Sequence, residues 1–306
     1  MLHRAAAPPA KRPRHTPTGA GARPSRRARP PFWRNPLVVA ATVTVLVVVG
    51  VMVVVAVRGD TTSTGTGTQA AQSGTPASSA VMAAVSRPDA AVLAAVGNGG
   101  LPSSFTPVRD AAALTGRDGK PEILYIGADY CPYCAAQRWA LAVALGRFGS
   151  FDQLEVSRSS SSDVFPDTAT FTFRNARYSS PYLDFVAVET ADRTGALLQA
   201  PTAEQQALLA KYDAPPYVAA ASAGGIPWLD VANHYVMVSS GFTPAVLSGL
   251  SWDGIAARLG NADDNVARGI IGDANNITAA ICTVTGMQPD AVCSSAPIAP
   301  LVATLR

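Results

Sequence analysis

Histidine is scarce in this chain. Only three occur in 306 residues, namely His3, His15 and His234. A Ser-His-Asp hydrolase needs one histidine beside its nucleophile, and a catalytic zinc site usually needs two or three. Because only His234 remains beyond residue 15, the sequence disfavours both of these enzyme classes.

Charged residues are also few, at 15% against 48% hydrophobic residues. This composition excludes a disordered chain and is apolar for a cytosolic enzyme. The net charge of +3 conceals a split, because residues 1–36 hold nine of the 24 Lys and Arg and no Asp or Glu. Basic tails can bind nucleic acid, but the apolar segment that follows favours a topology signal, and we expect no nucleic-acid partner.

One long segment contains no charge at all. It runs from Leu37 to Val57, 21 residues, and as a helix it extends roughly 30 Å, the thickness of the hydrocarbon core of a bilayer. The positive excess before it predicts a cytoplasmic N-terminus. We therefore expect a single-pass anchor in the cell membrane with an extracytoplasmic C-terminal part. A cleaved signal peptide is the alternative.

These features divide the chain into four parts: a basic disordered cytoplasmic tail (1–36), a transmembrane helix (37–57), a flexible linker (58–80) and an extracytoplasmic domain (81–306). Within the domain, apolar runs alternate with helix-capping signals. The predicted strands are 123–126, 168–173, 183–189, and a hairpin of 227–231 and 235–239. The predicted helices are 79–86, 88–96, 131–148 and 202–212. A C-terminal helical extension follows, a last set of helices that starts with 251–259 and runs towards Val284. The sequence therefore predicts one α/β domain.

All four cysteines follow the apolar segment. Cys131 and Cys134 lie where a predicted strand gives way to a predicted helix, so that the helix N-terminus stabilises a thiolate on Cys131. Such a thiolate is a nucleophile towards disulfides, and Cys134 is close enough to resolve the mixed disulfide. Cys282 and Cys293 are too far apart to complete a typical zinc site with the first pair, so no metal is expected. We expect them to form a structural disulfide, with an electron-relay role as the alternative.

The tetrad Cys131-Pro-Tyr-Cys134 and the downstream Gly225-Ile226-Pro227 resemble the thioredoxin-like superfamily. Over about residues 80–300 the chain is similar to a bacterial family of membrane-anchored thioredoxin-like proteins, itself a domain of unknown function. The resemblance implies a thioredoxin-like mixed sheet flanked by helices, with an inserted segment around residues 150–215. It also implies a cis-proline at Pro227 beside the cysteines, and substrate binding by Tyr133, Ile226 and Pro227.

The chain departs from thioredoxin at two positions. Six residues before Cys131, where thioredoxin has a buried carboxylate, stands Tyr125, and Tyr130 replaces the usual tryptophan before the tetrad. Asp129 is nearer, but we expect it close to the surface. The direction of electron flow therefore does not follow from the resemblance.

These observations together predict an enzyme, a membrane-anchored extracytoplasmic thiol-disulfide oxidoreductase that needs no cofactor. Its expected partners are exported proteins with thiols or disulfides, and a redox partner in the membrane. Two alternatives stay open. One is a non-catalytic binding or assembly module in which Cys131–Cys134 is a static disulfide. The other is a copper-handling protein, for which His234 in a predicted turn is a weak candidate ligand.

Overall fold

The computed structural model describes residues 74–305, which fall within one compact unit, Gln69–Arg306. The predicted tail, the predicted transmembrane helix and residues 58–73 of the predicted linker lie outside the described residues. In the part that is described, no single helix is long and apolar enough to cross a membrane. The helices Ser79–Ser86 and Ala90–Val96 meet those limits only as a pair, which is bent by 60°.

Eight helices and nine strands make up the described part of the chain. The helices are α1 (Ser79–Ser86), α2 (Ala90–Val96), α3 (Pro132–Leu145), α4 (Ala203–Tyr212), α5 (Trp252–Arg258), α6 (Asn265–Val284), α7 (Asp290–Cys293) and α8 (Ala299–Leu305). The strands are β1 (Thr106–Pro107), β2 (Glu122–Gly127), β3 (Ser150–Phe151), β4 (Glu155–Arg158), β5 (Ala169–Thr172), β6 (Tyr178–Ser179), β7 (Asp184–Glu189), β8 (Trp228–Val231) and β9 (Tyr235–Val238). Short 3-10 turns lie at Arg117–Gly119, Ala220–Ser222 and Pro244–Leu247.

The main sheet has five strands in the order β1-β9-β8-β2-β7. Strand β2 pairs in parallel with β7, whereas the β2–β8, β8–β9 and β1–β9 pairs are antiparallel. The predicted mixed sheet is thereby confirmed, and so is the hairpin of the last two strands.

Side chains of the central strand β2 alternate between two apolar layers, as the pleat requires. Ile123 and Tyr125 belong to the larger core, which contains α3 and α6. Leu124 and Ile126 belong to a smaller core on the other face, closed by Tyr212 and its neighbours on α4. Helices therefore flank the sheet on both faces, as predicted.

Helix α3 is shorter than predicted. Pro132 occupies its first turn, where a missing N–H costs nothing. The helix ends at Leu145 instead of Phe148, because Gly146 caps it and the following residues form tighter turns, with Arg147 N–H bonded to Ala144 O. Glycine suits this cap, since a Cβ there would meet Val85 O of α1 at 2.8 Å.

The inserted segment between α3 and β7 consists of two small antiparallel sheets, β3–β6 and β4–β5. The predicted strand 168–173 is β5, and it pairs with β4 instead of joining the main sheet. Two serines of this segment, Ser157 and Ser159, are buried. Burial is possible because Ser159 Oγ donates to Phe165 O and accepts from Thr168 N–H.

The C-terminal extension consists of separate helices, as predicted. Helix α5 ends at Arg258, and Asp264 begins α6 by accepting from Val266 N–H at 2.8 Å. Cys282 on α6 and Cys293 at the end of α7 form a disulfide, with Cα atoms 5.6 Å apart. The predicted pairing of Cys282 with Cys293 is therefore confirmed.

Candidate redox site around Cys131 and Cys134

The two cysteines of the tetrad lie at the start of α3, directly after the central strand. Cys131 is the N-cap residue, and its Sγ accepts from Cys134 N–H at 3.2 Å. The side chain of Cys131 is 7% exposed, whereas that of Cys134 is fully buried. Both are free thiols. A helix N-terminus presents unpaired N–H groups to a sulfur in this position, which stabilises a thiolate on Cys131. Cys131 is also the more accessible of the two cysteines.

The loop before β8 lies against the first cysteine. The Cys131 thiol is 3.7 Å from the Ile226 carbonyl oxygen, to which it donates, and the Ile226–Pro227 peptide bond is cis. The structure thus brings Cys131, Cys134 and the Ile226-Pro227 loop together. Tyr133 is 37% exposed beside them, and its ring packs edge-to-face on Phe165 of the inserted segment, with centroids 6.0 Å apart.

The two thiols differ in acidity. The pKa of Cys131 is lowered, first by the hydrogen bond from the Cys134 thiol and then by the Cys134 N–H and the charge of Arg138, which together outweigh the effect of burial. Burial raises the pKa of Cys134 well above the ordinary thiol value, and its pairing with Cys131 adds to this. The arrangement favours a thiolate on Cys131 and a protonated thiol on Cys134.

A buried ion pair lies on the same side of α3, one turn beyond Cys134. Arg138 donates to Glu189 through two hydrogen bonds, Nε to Oε1 at 2.8 Å and Nη2 to Oε2 at 2.6 Å. Both side chains are completely buried. Glu189 is the last residue of β7 and stands opposite Gly127 in the parallel pair, so the sheet register places it next to the start of α3. The charge of Arg138 lowers the pKa of both cysteines.

Two further groups complete this polar cluster. Asp129 Oδ1 is 3.5 Å from Arg138 Nη2, and burial raises the pKa of Asp129 even though Arg138 opposes it. We expected Asp129 near the surface, but its side chain is only 13% exposed. The hydroxyl of Tyr125, six residues before Cys131, is buried with no hydrogen-bond partner in the described part of the chain.

A family model described as "Domain of unknown function (DUF929)" matches residues 112–283. The chain belongs to this family. The matched segment contains both tetrad cysteines, Arg138, Glu189, Pro227 and Cys282, but it ends before Cys293 and the last two helices. No curated protein matches the chain, and no solved structure does.

Sequence reasoning missed the Arg138–Glu189 pair of this DUF929 domain. A signal was present, because Arg138 is the one charged residue of α3 and Glu189 follows four apolar residues at the end of β7. Charges in such places are rarely buried unless they are paired. The pairing itself was hidden, since the two residues are 51 positions apart.

His234, the candidate copper ligand, belongs to no group of metal-binding side chains in the described residues. His234 lies in the turn between β8 and β9, at the end of β8 opposite to Pro227. Within residues 74–305, no group of three or more His, Cys, Asp or Glu is arranged to hold a metal ion.

Proposed function

We propose that the DUF929 domain of this chain is a thioredoxin-like thiol-disulfide oxidoreductase whose reacting groups are Cys131 and Cys134. The observation that carries the proposal is the position of the Cys131 sulfur at the N-cap of α3, where its pKa is lowered. The second thiol, that of Cys134, is buried beside it. The thiolate is the reactive form of cysteine in disulfide exchange. The order of strand, cysteine pair, helix, Ile-Pro loop, antiparallel hairpin and helix is the one that the thioredoxin resemblance implies, which supports the fold assignment.

The reaction has two steps. The Cys131 thiolate attacks one sulfur of a substrate disulfide, forming a mixed disulfide, and the other substrate sulfur leaves with the electron pair and takes a proton. Cys134 then loses its proton and attacks the Cys131 sulfur, which releases the second substrate thiol. The substrate gains two electrons, and Cys131 and Cys134 become a disulfide. The same steps in reverse oxidise a dithiol substrate.

The roles of the neighbouring residues follow from their contacts. Arg138 favours the thiolate form of both cysteines through its charge. The Ile226 N–H has no hydrogen-bond partner among the described residues, so an extended substrate segment can pair with the backbone of this loop. Tyr133 offers an exposed ring beside the sulfur. Substrates are therefore protein segments that carry a thiol or a disulfide.

We also propose an extracytoplasmic, membrane-tethered location. The Cys282–Cys293 disulfide supports an oxidising compartment, and the uncharged segment 37–57 preceded by basic residues supports a single-pass anchor. A thiol-disulfide partner in the membrane would return Cys131 and Cys134 to the starting redox state.

Exchange with a fluorescently labelled glutathione disulfide tests the proposal. Wild-type protein should release the label, Cys131→Ser should abolish release, and Cys134→Ser should accumulate a labelled mixed disulfide visible by mass spectrometry. The matched control is Cys282→Ala/Cys293→Ala, which should keep the activity. Undiminished release by Cys131→Ser would overturn the assignment. A Cys131–Cys134 disulfide as resistant to mild reductant as Cys282–Cys293 would indicate a static binding module instead.

A further inference from the structure

A cavity of about 280 Å³ lies among the ends of α1, α2 and α3 and the segment that follows α6, away from the candidate redox site. It shares no lining residue with the redox site. The side chains that define it are Arg87, Pro88, Leu93, Arg147, Val292 and Pro297. Most of this wall is apolar, and Arg87 lies exposed at the rim.

Arg147 is a half-buried residue whose guanidinium has no counter-charge. Its Nη1 donates to Asn275 Oδ1 at 2.7 Å, while Nε and Nη2 are closed off from solvent and have no hydrogen-bond partner in the described residues. None of the ion pairs found between residues 74 and 305 includes Arg147. Burial lowers the pKa of Arg147 to about 9, so the group remains charged at neutral pH.

Asn275 cannot supply the missing partners. Its Nδ2 donates to Leu93 O at 3.2 Å and to Gly97 O at 2.5 Å, which fastens the end of α2 to α6. Its Oδ1 is neutral and accepts only from Nη1 of Arg147, so it provides neither a counter-charge nor an acceptor for Nε and Nη2. Since an isolated buried charge is strongly unfavourable, the geometry calls for an anion from outside the protein.

We propose that this cavity binds a small monocarboxylate with an apolar body, whose carboxylate pairs with Arg147. The two oxygens of a carboxylate match two adjacent guanidinium N–H groups. Of the two arginines that line the cavity, Arg87 is exposed to water at the rim and only the guanidinium of Arg147 lies inside. The interior therefore favours a monoanion, because a phosphate dianion would leave a second charge uncompensated there. Leu93, Val292 and Pro297 contact the apolar body, and the volume lies just below the roughly 300 Å³ at which common ligand pockets begin, so this body is small.

Binding requires a local rearrangement. The guanidinium turns towards the cavity, which gives up at most its hydrogen bond to Asn275. Ser86 lines the same cavity, and its hydroxyl makes no hydrogen bond within the described structure, so it is a second donor for the carboxylate. The wall of the cavity formed by Val292 is held in place, because Val292 directly precedes Cys293 of the buried disulfide.

Calorimetric titration of the purified full-length protein at pH 7 with hexanoate tests this site. We expect saturable binding of one hexanoate per chain. Hexanamide, which has the same shape without the charge, and acetate, which lacks the apolar body, should each bind at least tenfold more weakly. Inorganic phosphate should not compete.

Two variants locate the site. Arg147→Met should weaken hexanoate binding at least tenfold, and it should fold, because it replaces an uncompensated buried charge by an apolar side chain of similar length. Ala291→Trp keeps Arg147 and fills the mouth of the cavity, so it should weaken hexanoate binding to the same degree. If Arg147→Met is unstable, this second variant alone tests whether hexanoate binds in the cavity. The matched control is the exposed Arg117→Met, which should bind like wild type. Absence of saturable hexanoate binding, binding unaffected by both cavity variants, or preference for phosphate would each overturn the proposal.

Discussion

At the scale of single residues, the most unusual feature is a fully buried ion pair, Arg138 and Glu189, next to the thiols of Cys131 and Cys134. Glu189 neutralises most of the charge of Arg138 through two hydrogen bonds, so that only part of this charge acts on the cysteines. Its Oε1 also accepts from Phe173 N–H at 3.2 Å. The pair therefore connects the inserted segment, the central helix and the sheet.

Glu189→Gln tests what this pair does. Removal of the carboxylate leaves a buried cation unpaired, which should lower the free energy of unfolding by about 3–5 kcal/mol. The pKa of Cys131 should fall below its wild-type value, because the charge of Arg138 is no longer offset. Urea denaturation measures the first effect, and the pH dependence of Cys131 alkylation by iodoacetamide measures the second.

The control for this variant is Arg138→Met/Glu189→Leu, which removes both charges. It should recover much of the lost stability, since an apolar pair can replace a buried ion pair at little cost, and it should raise the pKa of Cys131 above the wild-type value. If the alkylation profile is the same in all three proteins, the ion pair has only a structural role.

At the scale of elements, the disulfide between α6 and α7 is the clearest contributor to stability. Cys282→Ala/Cys293→Ala should lower the free energy of unfolding by about 3 kcal/mol, because an 11-residue separation gives a cross-link of roughly this entropic value. Guanidinium denaturation of the oxidised proteins provides the measurement. A loss below about 1 kcal/mol would mean that packing of α7 and α8 alone holds the C-terminal segment.

Elements with local signals were predictable from the sequence. Strand β2 is a short apolar run, α4 opens with a capping box of Thr202 and Gln205 that the structure contains, and Cys131 caps α3. Features that depend on distant partners were not predictable. The pairing of β5 with β4 is one of them, since β5 is held beside α3 by a hydrogen bond from the Thr170 hydroxyl to Ala135 O. The end of α3 at Gly146 is another, because α1 approaches it there.

The candidate site likewise has features that could be predicted from the sequence and features that could not. The cysteine pair and the Ile226-Pro227 loop carry motifs that the sequence displays, so their proximity could be predicted from a family resemblance. The contacts of Arg138 with Glu189, and the isolation of Arg147, arise only when separate elements pack. No spacing along the chain encodes them.

At the scale of the whole molecule, two buried carboxyl groups should make stability depend on pH. Burial raises the pKa of Asp230 on β8 and of Asp273 on α6 to about 7 each. The folded protein therefore retains protons that the unfolded chain loses near pH 4, so the free energy of unfolding falls as pH rises from about 4 to 7. We expect the protein to be less stable at pH 8 than at pH 5.

Urea denaturation at these two pH values checks this expectation. Asp273→Asn should reduce the difference in the free energy of unfolding between pH 5 and pH 8. It should stabilise the protein at pH 8, because the amide stays neutral in the same place. The exposed Asp110→Asn should leave the difference unchanged. Equal stability of the wild-type protein at both pH values would contradict the raised pKa of these two groups.

The burial of the Cys282–Cys293 bond has a consequence for how the protein is made. Both sulfurs are fully enclosed once the C-terminal helices have packed, so an outside oxidant can reach them only while this part of the chain is still open. During its own biogenesis the protein is therefore a client of disulfide formation. Heterologous production should yield the native chain from an oxidising secretory compartment, and a chain without this cross-link from a reducing cytosol.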